Sequence, residues 1–325
     1  MIRFILRRLA FIPVALLVVH CMGFAYAHFA GPIRAARNPF LASLANPSPF
    51  LPTYESYLQN ALHLDFGTVP TGAAAEEPIV SVIGQASLAS LGLTVTAWSL
   101  SVVLGLMIGL RAVRIDPPQV SNWLTVFSTI GLAMPSFYIG SLFVFGLFMY
   151  LVRGGYGTQL PLPMRGFGWD EHLVLPVLAL MARPTVQIAH VTAELLVEEL
   201  DKQYVVAARS LGHTWRSILG QKALRNILAS VILSVAGSAR LLVGELIVIE
   251  WLFVWPGLGR LLASALIPST TSSPSQAPLF LNPPLVAAVL LVFAGAFLLT
   301  DLIAATMIRA VDPRLRAVDE ERRYV

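Results

Sequence analysis

The chain has 325 residues, of which 56% are hydrophobic and 12% charged, with a mean hydropathy of +0.74 and a net charge of +4. That is too little polar surface to cover a soluble globule, so the sequence is that of an integral membrane protein. The isoelectric point near 9.5 is then no nucleic-acid signal, because basic residues in such a chain sort by membrane side.

Arg3, Arg7 and Arg8 precede an apolar run over 9–30, long enough to span a hydrocarbon core of about 30 Å. Ala25-Tyr26-Ala27 has the form of a signal-peptidase site, but a basic start followed by a full-length span also makes a retained anchor, which is the expectation here. The lone Cys21 within this run gives no disulfide framework and no thiolate cluster, and is expected to be a small buried hydrophobe. Residues 31–85 are Pro-rich and weakly apolar, with Tyr54, Tyr57 and Leu58 at helical spacing ahead of Leu64-Asp65-Phe66-Gly67. They predict an external segment with a short helix packed on the membrane domain, and a solvated turn at Glu76 and Glu77.

Five more spans are predicted over 88–110, 123–151, 173–196, 227–254 and 285–310. The third contains Pro135, which predicts a tilt or kink, and the fourth has Pro176 near its start, where proline costs least. The stretch over 268–284 is Ser/Thr/Pro-rich and reads as an external loop. The expected organisation is all-α and polytopic with six spans. An N-terminal span and external segment occupy 1–86, a five-helix core 87–316, and a cytoplasmic tail 317–325.

Six spans put both termini on one side of the membrane. Of the 22 basic residues, 15 fall on that side and 5 on the other (Arg34, Arg37, Arg153, Arg165 and Arg260), with Arg183 and Arg240 inside spans. This bias places both termini and the 200–226 loop in the cytoplasm.

That loop, LDKQYVVAARSLGHTWRSILGQKALRN, is the one long basic interruption between two very apolar segments. Tyr204, Ala207, Ala208 and Leu211 fall on one face of a short helix, with Lys202 and Arg209 elsewhere on it. Gly212 is placed to stop that helix as a left-handed cap, and Thr214 to start another whose apolar positions are Trp215, Ile218 and Leu219. By pattern alone this is either an ordinary positive-inside loop or a rigid surface helix on a hinge.

No Gly-rich phosphate loop with its Lys and Ser/Thr is present, so ATP hydrolysis is not expected of this chain, and no His-Glu-x-x-His or other metal spacing appears. His190 is the one histidine well inside a span, which argues against an intramembrane serine enzyme. Ionisable residues within spans are more informative, since each costs about 2.5–3.5 kcal/mol on insertion scales unless it finds a partner or cavity. Arg183, His190 and Glu194 share one face of the fourth span, and His190 can pair with Glu194. Arg240, Glu245 and Glu250 step by five along the fifth span and cannot form one stripe; Asp301 lies in the sixth. These groups are either interhelical ion pairs or the lining of a polar translocation path.

Several separated motifs together resemble the membrane permeases of bacterial ATP-binding-cassette importers, in particular the dipeptide/oligopeptide/nickel permease family. Tyr204-Val205-Val206-Ala207-Ala208-Arg209-Ser210-Leu211-Gly212 is similar to that family's cytoplasmic EAA loop, and Ala223-Leu224-Arg225-Asn226 to its continuation into span five. Trp255-Pro256-Gly257-Leu258-Gly259-Arg260 after Glu250, Asp312-Pro313-Arg314, Pro135-Ser136-Phe137 and Leu64-Asp65-Phe66-Gly67 resemble further family blocks. The chain departs from the pattern at Val206, Ala193, Ser230, Arg240 and Glu245.

The resemblance implies a type I importer permease fold, MetI-like, in a bacterial inner membrane. Its implied partners are a second permease, two cytoplasmic ATPases that bind ATP and magnesium, an external solute-binding protein and membrane lipid, with no nucleic acid and no cofactor in this chain. It also makes Tyr204, Ala207, Ala208, Arg209, Gly212, Ala223, Leu224, Arg225 and Asn226 the ATPase-coupling residues. Arg240, Glu245, Glu250 and Asp301 are the candidate pathway residues. The expected cargo is a peptide or a related polar solute, and the rival is a stand-alone secondary transporter, which the lack of discontinuous helices in corresponding halves of the sequence counts against.

Overall fold

The computed structural model describes residues 2–36, 48–63, 65–70, 76–155, 157–267 and 279–311. Its helices are α1 (Ile2–Ala35), α2 (Phe50–Leu62), α3 (Ile79–Arg111), α4 (Asn122–Ala133), α5 (Ser136–Gly154), α6 (Val174–Leu200), α7 (Gln203–Ser210), α8 (Trp215–Ser217), α9 (Leu224–Phe253), α10 (Leu258–Leu266) and α11 (Pro283–Val311). The strands described are two short antiparallel hairpins. In one, β1 (Thr68–Pro70) pairs with β2 (Glu76–Pro78); in the other, β3 (Val113–Ile115) pairs with β4 (Pro118–Val120). Glu76 and Glu77, expected in a turn, lie on β2, where Glu76 accepts a hydrogen bond from Thr68 Oγ1 at 2.8 Å.

Six of the described helices are long and apolar enough to cross a membrane: Arg8–Ala35, Ile79–Arg111, Ser136–Gly154, Glu171–Leu200, Leu224–Phe253 and Pro283–Met307. The number matches the sequence reading, but two boundaries are corrected. The stretch between the first two long helices is shorter than 31–85, because α1 runs to Ala35 and α3 starts at Ile79, directly after Pro78, with no proline to stop it before Arg111. The third predicted span, 123–151, is two helices rather than one kinked helix. Met134 is extended (φ −87°, ψ 120°), as the residue before a proline prefers, and Pro135 (ψ 147°) starts a new helix at Ser136. The 12-residue α4 is too short to cross alone, which leaves α5 as the span.

Packing divides the chain into two units, one of residues 1–5, 93–253 and 299–325, the other of 6–92 and 254–298. In the first, α6 and α9 form the central pair, α4 and α5 pack on α6, and α5 also touches α9. Gly105 and Gly109, one turn apart, let α3 lie close on α6: a Cβ at Gly105 would meet Ile188 Cβ at 2.8 Å, and one at Gly109 the Ala189 carbonyl oxygen at 2.6 Å. Small-xxx-small spacing of this kind brings helix backbones together where lipid offers no hydrophobic drive. Trp98 Nε1 donates to Ser238 Oγ at 3.2 Å, tying α3 to α9.

In the second unit, Phe24, Tyr57 and Ala287 form a buried cluster, and His20 Nδ1 lies 3.1 Å from the Tyr54 hydroxyl. The predicted short helix around Tyr54 and Tyr57 is therefore present as α2 and is packed on α1. The Trp255 block builds a corner: Val254 has φ 60°, Trp255 is fully buried and donates from Nε1 to the Ala89 carbonyl at 3.0 Å, and Ser90 Oγ accepts from Leu258 N at 2.8 Å. Asp312-Pro313-Arg314 and most of the Ser/Thr/Pro-rich stretch lie outside the described residues.

Gly109→Ala should force α3 away from a backbone neighbour at a cost of about 1–3 kcal/mol, the usual price of overpacking. It is expected to lower the thermal midpoint of the solubilised protein by several degrees. Gly84→Ala, inside α3 where a Cβ meets nothing within 4 Å, should not lower the midpoint and should raise it slightly through helix propensity.

Candidate functional site: the α6–α9 connection and the intramembrane ion pairs

The connection is built around one carboxylate that the sequence reading passed over. Glu199, in the last turn of α6, is 4% exposed. It accepts hydrogen bonds from Lys202 Nζ at 2.5 Å, Tyr204 OH at 2.8 Å and Asn226 Nδ2 at 2.7 Å. The donors come from the residue before α7, from α7 itself and from the first turn of α9. A carboxylate this buried is costly unless its lone pairs are filled, and here three donors fill them. Lys202 is held protonated above its ordinary range by that hydrogen bond, and burial followed by the bond to Glu199 pushes the Tyr204 hydroxyl up to about 12. Both values are raised, so while Glu199 is ionised the contribution of these two groups is present below about pH 10 and is lost as pH rises through the raised values.

The predicted caps are in place. Gly212 has φ 85°, Gly212 N donates to Arg209 O at 3.0 Å and His213 N to Ala208 O at 3.1 Å, the paired bonds of a Schellman stop. Thr214 Oγ1 accepts from Ser217 N at 3.4 Å and starts α8. The Arg209 guanidinium lies 4.5 Å over the Trp215 ring, fastening α7 to α8 across the turn. The chain then winds through a π-helical segment, Ile218–Ala223, into α9.

The face read off the spacing, Tyr204, Ala207, Ala208 and Leu211, is split by the packing of α7. Val205 and Ala208 are buried and Tyr204 half-buried, joining Leu196, Leu200, Ile218, Ala223 and Ile227 in one apolar core. Ala207 is exposed and Leu211 is 80% exposed, as is Val206 at 67%. Lys202 precedes the helix instead of lying on it. Of the other coupling candidates, Leu224 is half-buried and Arg225 exposed.

The intramembrane charges resolve into separate pairs. Arg240 Nη1 donates to Asp301 Oδ1 at 2.8 Å. Glu245 instead receives Arg183 Nη1 at 2.7 Å on Oε1 and a short bond from Ser136 Oγ on Oε2. His190 Nε2 lies 3.1 Å from Glu194 Oε1, the predicted pairing, and its Nδ1 lies 3.3 Å from Ser128 Oγ. Glu250 is fully buried near the end of α9. Of the four candidate pathway residues, Arg240 and Asp301 thus pair with each other, while Glu245 is held by Arg183 and Ser136.

Six apolar spans, a packed surface helix between two of them and paired charges inside the helices define a polytopic membrane protein. Residues 101–317 match the family described as binding-protein-dependent transport system inner membrane component, and the chain belongs to it. A putative peptide transport system permease protein of Brucella abortus is 27% identical over 264 residues, covering 80% of this chain and 78% of its own. A glutathione transport system permease protein of Salmonella choleraesuis is 27% identical over 330 residues, covering 97% and 99%. A further putative peptide transport system permease protein, of Brucella suis, is 30% identical over 215 residues, covering 65% and 66%. The resemblance read from the motifs is borne out, and the stand-alone transporter is not favoured.

Glu199→Leu would leave three donors without their acceptor. It should speed amide exchange over 203–211 by at least about tenfold, roughly 1.4 kcal/mol of local stability, in line with the loss of charge-assisted bonds. Tyr204→Phe, which removes one donor of three, should give a smaller change in the same segment.

Proposed function

We propose that this chain is one of two permease subunits of an ATP-driven importer for peptides or a related polar solute. Its partners are a second permease, two cytoplasmic ATPases that bind and hydrolyse ATP, and an external solute-binding protein. Both termini and the α7 loop face the cytoplasm, in keeping with the bias of basic residues toward that side. The peptide assignment draws on the transport systems for which the relatives are named.

The observation that carries the reading is the two-sided character of α7. One side is locked into the ends of α6 and α9 through Glu199 and the Val205/Ala208 core. The other presents Val206 and Ala207, with Leu211 at the C-terminal cap of the helix, to the outside as an exposed apolar ridge. A groove on the ATPase takes this ridge, and the Schellman stop at Gly212 with the Arg209–Trp215 stack keeps it rigid. When the ATPases close, α7 moves as a body and carries the central α6–α9 pair with it, which is the two-state motion alternating access requires.

Val206→Asp combined with Leu211→Asp should reduce uptake more than about tenfold and abolish co-purification of the ATPase, with the permease still in the membrane at its normal level. Normal uptake by that variant would refute the docking assignment. Gly212→Val, which forces a β-branched residue to positive φ, should impair uptake through the lever itself.

A further inference from the structure

The Arg183–Glu245–Ser136 node contains more hydrogen-bonding capacity than the protein uses. Arg183 Nε and Gln187 Oε1 are both buried and both lack a partner from the protein. They stand four residues apart on α6, hence on one face, and Gln187 is the middle residue of that 27-residue helix. A buried donor and a buried acceptor left open at mid-helix each cost about 1–3 kcal/mol, so their persistence at one level asks for a reason.

The surroundings point to a ligand. The charged end of the node is open, with the side chains of Arg183 and Glu245 33% and 15% exposed. Such exposure to hydrocarbon would be costly, so a polar surface rather than lipid meets this end. The backbone is interrupted here twice: α5 begins at Ser136 after the Pro135 break, and Pro184 removes a ladder hydrogen bond from α6 beside Arg183. Both interruptions leave the helices able to shift at the level of the node.

The geometry points to Arg183 and Gln187 as specificity-determining residues that read a substrate amide inside the membrane, an inference that rests on the peptide-importer reading. An amide supplies what the two orphan atoms need: a carbonyl oxygen to accept from Arg183 Nε and an N–H to donate to Gln187 Oε1. Glu245, itself held by Ser136, keeps the guanidinium in place until the amide arrives. A site built on buried hydrogen-bonding groups rejects an analogue that lacks the matching group far more strongly than an apolar pocket does.

The test uses the complete transporter, this chain with its partner subunits, and compares uptake of trialanine with that of the depsipeptide in which the second amide is replaced by an ester, removing one N–H. The binding protein's own preference is common to every variant and divides out. Wild type should prefer the peptide, and Gln187→Met, similar in size but without the acceptor, should reduce that preference about tenfold. Arg183→Lys, which keeps the charge beside Glu245 but loses Nε, should raise the trialanine KM about tenfold with Vmax within about twofold. An unchanged preference in Q187M would mean that the two atoms only hold water, and would overturn the inference while leaving the importer reading intact. Should Q187M fail to reach the membrane, the R183K kinetics decide: an unchanged KM, or KM and Vmax changing together with membrane level, overturns it. Wild-type uptake of no member of a panel of di- to pentapeptides would overturn the peptide reading and this inference together.

Discussion

One buried carboxylate sets the geometry of the proposed working end of this protein. Glu199 stands where α6 ends, and its lone pairs are satisfied only if Lys202, Tyr204 and the first turn of α9 all converge on it. The penalty for leaving such a group unpaired exceeds the modest net gain from any one of its bonds. Its strength is therefore as a constraint on geometry. α7 cannot rotate, and the start of α9 cannot slide along α6, without exposing a bare charge to an apolar core.

That constraint explains why an eight-residue helix, too short to be stable alone, is held in one orientation. With Val205 and Ala208 pinned inside, Val206, Ala207 and Leu211 are left outside by helical geometry. The π-helical segment Ile218–Ala223 then delivers the chain into α9, whose partner throughout is α6. In the first unit the Glu199 node and the Arg183–Glu245 pair thus lie along the same two helices, with the surface ridge on α7 fastened to their ends. A displacement imposed on α7 has a continuous packed route toward the mid-helix charges.

Much of this was legible in the sequence. Composition and apolar run length give six spans, and Gly212 and Thr214 mark the stops and starts of the loop because each acts through its own backbone or one nearby N–H. Features that depend on tertiary partners were not legible. Glu199 looks like one more acid in the Glu198-Glu199 pair closing a basic-flanked span, and only the return of Asn226 turns it into a node. The i, i+3, i+4, i+7 rule put Tyr204, Ala207, Ala208 and Leu211 on one face, and tertiary packing splits that face, with Ala208 buried, Tyr204 half-buried, and Ala207 and Leu211 exposed. Pro135 announced a disturbance of the third span, but whether a proline kinks or breaks a helix depends on what replaces the lost ladder bonds. Arg240 and Glu245, adjacent in the list of charges, proved to have separate partners on α11 and α6.

The central claim is that Glu199 fixes α7 to the membrane helices so that ATPase closure moves them. The most direct measurement is the number of ATP molecules hydrolysed per solute imported by the reconstituted transporter carrying Glu199→Gln. This change keeps the side-chain shape and leaves the exposed ridge untouched. The account predicts that the ATPases remain bound and hydrolyse ATP while import falls, so that the ratio rises several-fold. A ratio equal to that of the wild type, with the complex intact, would contradict it.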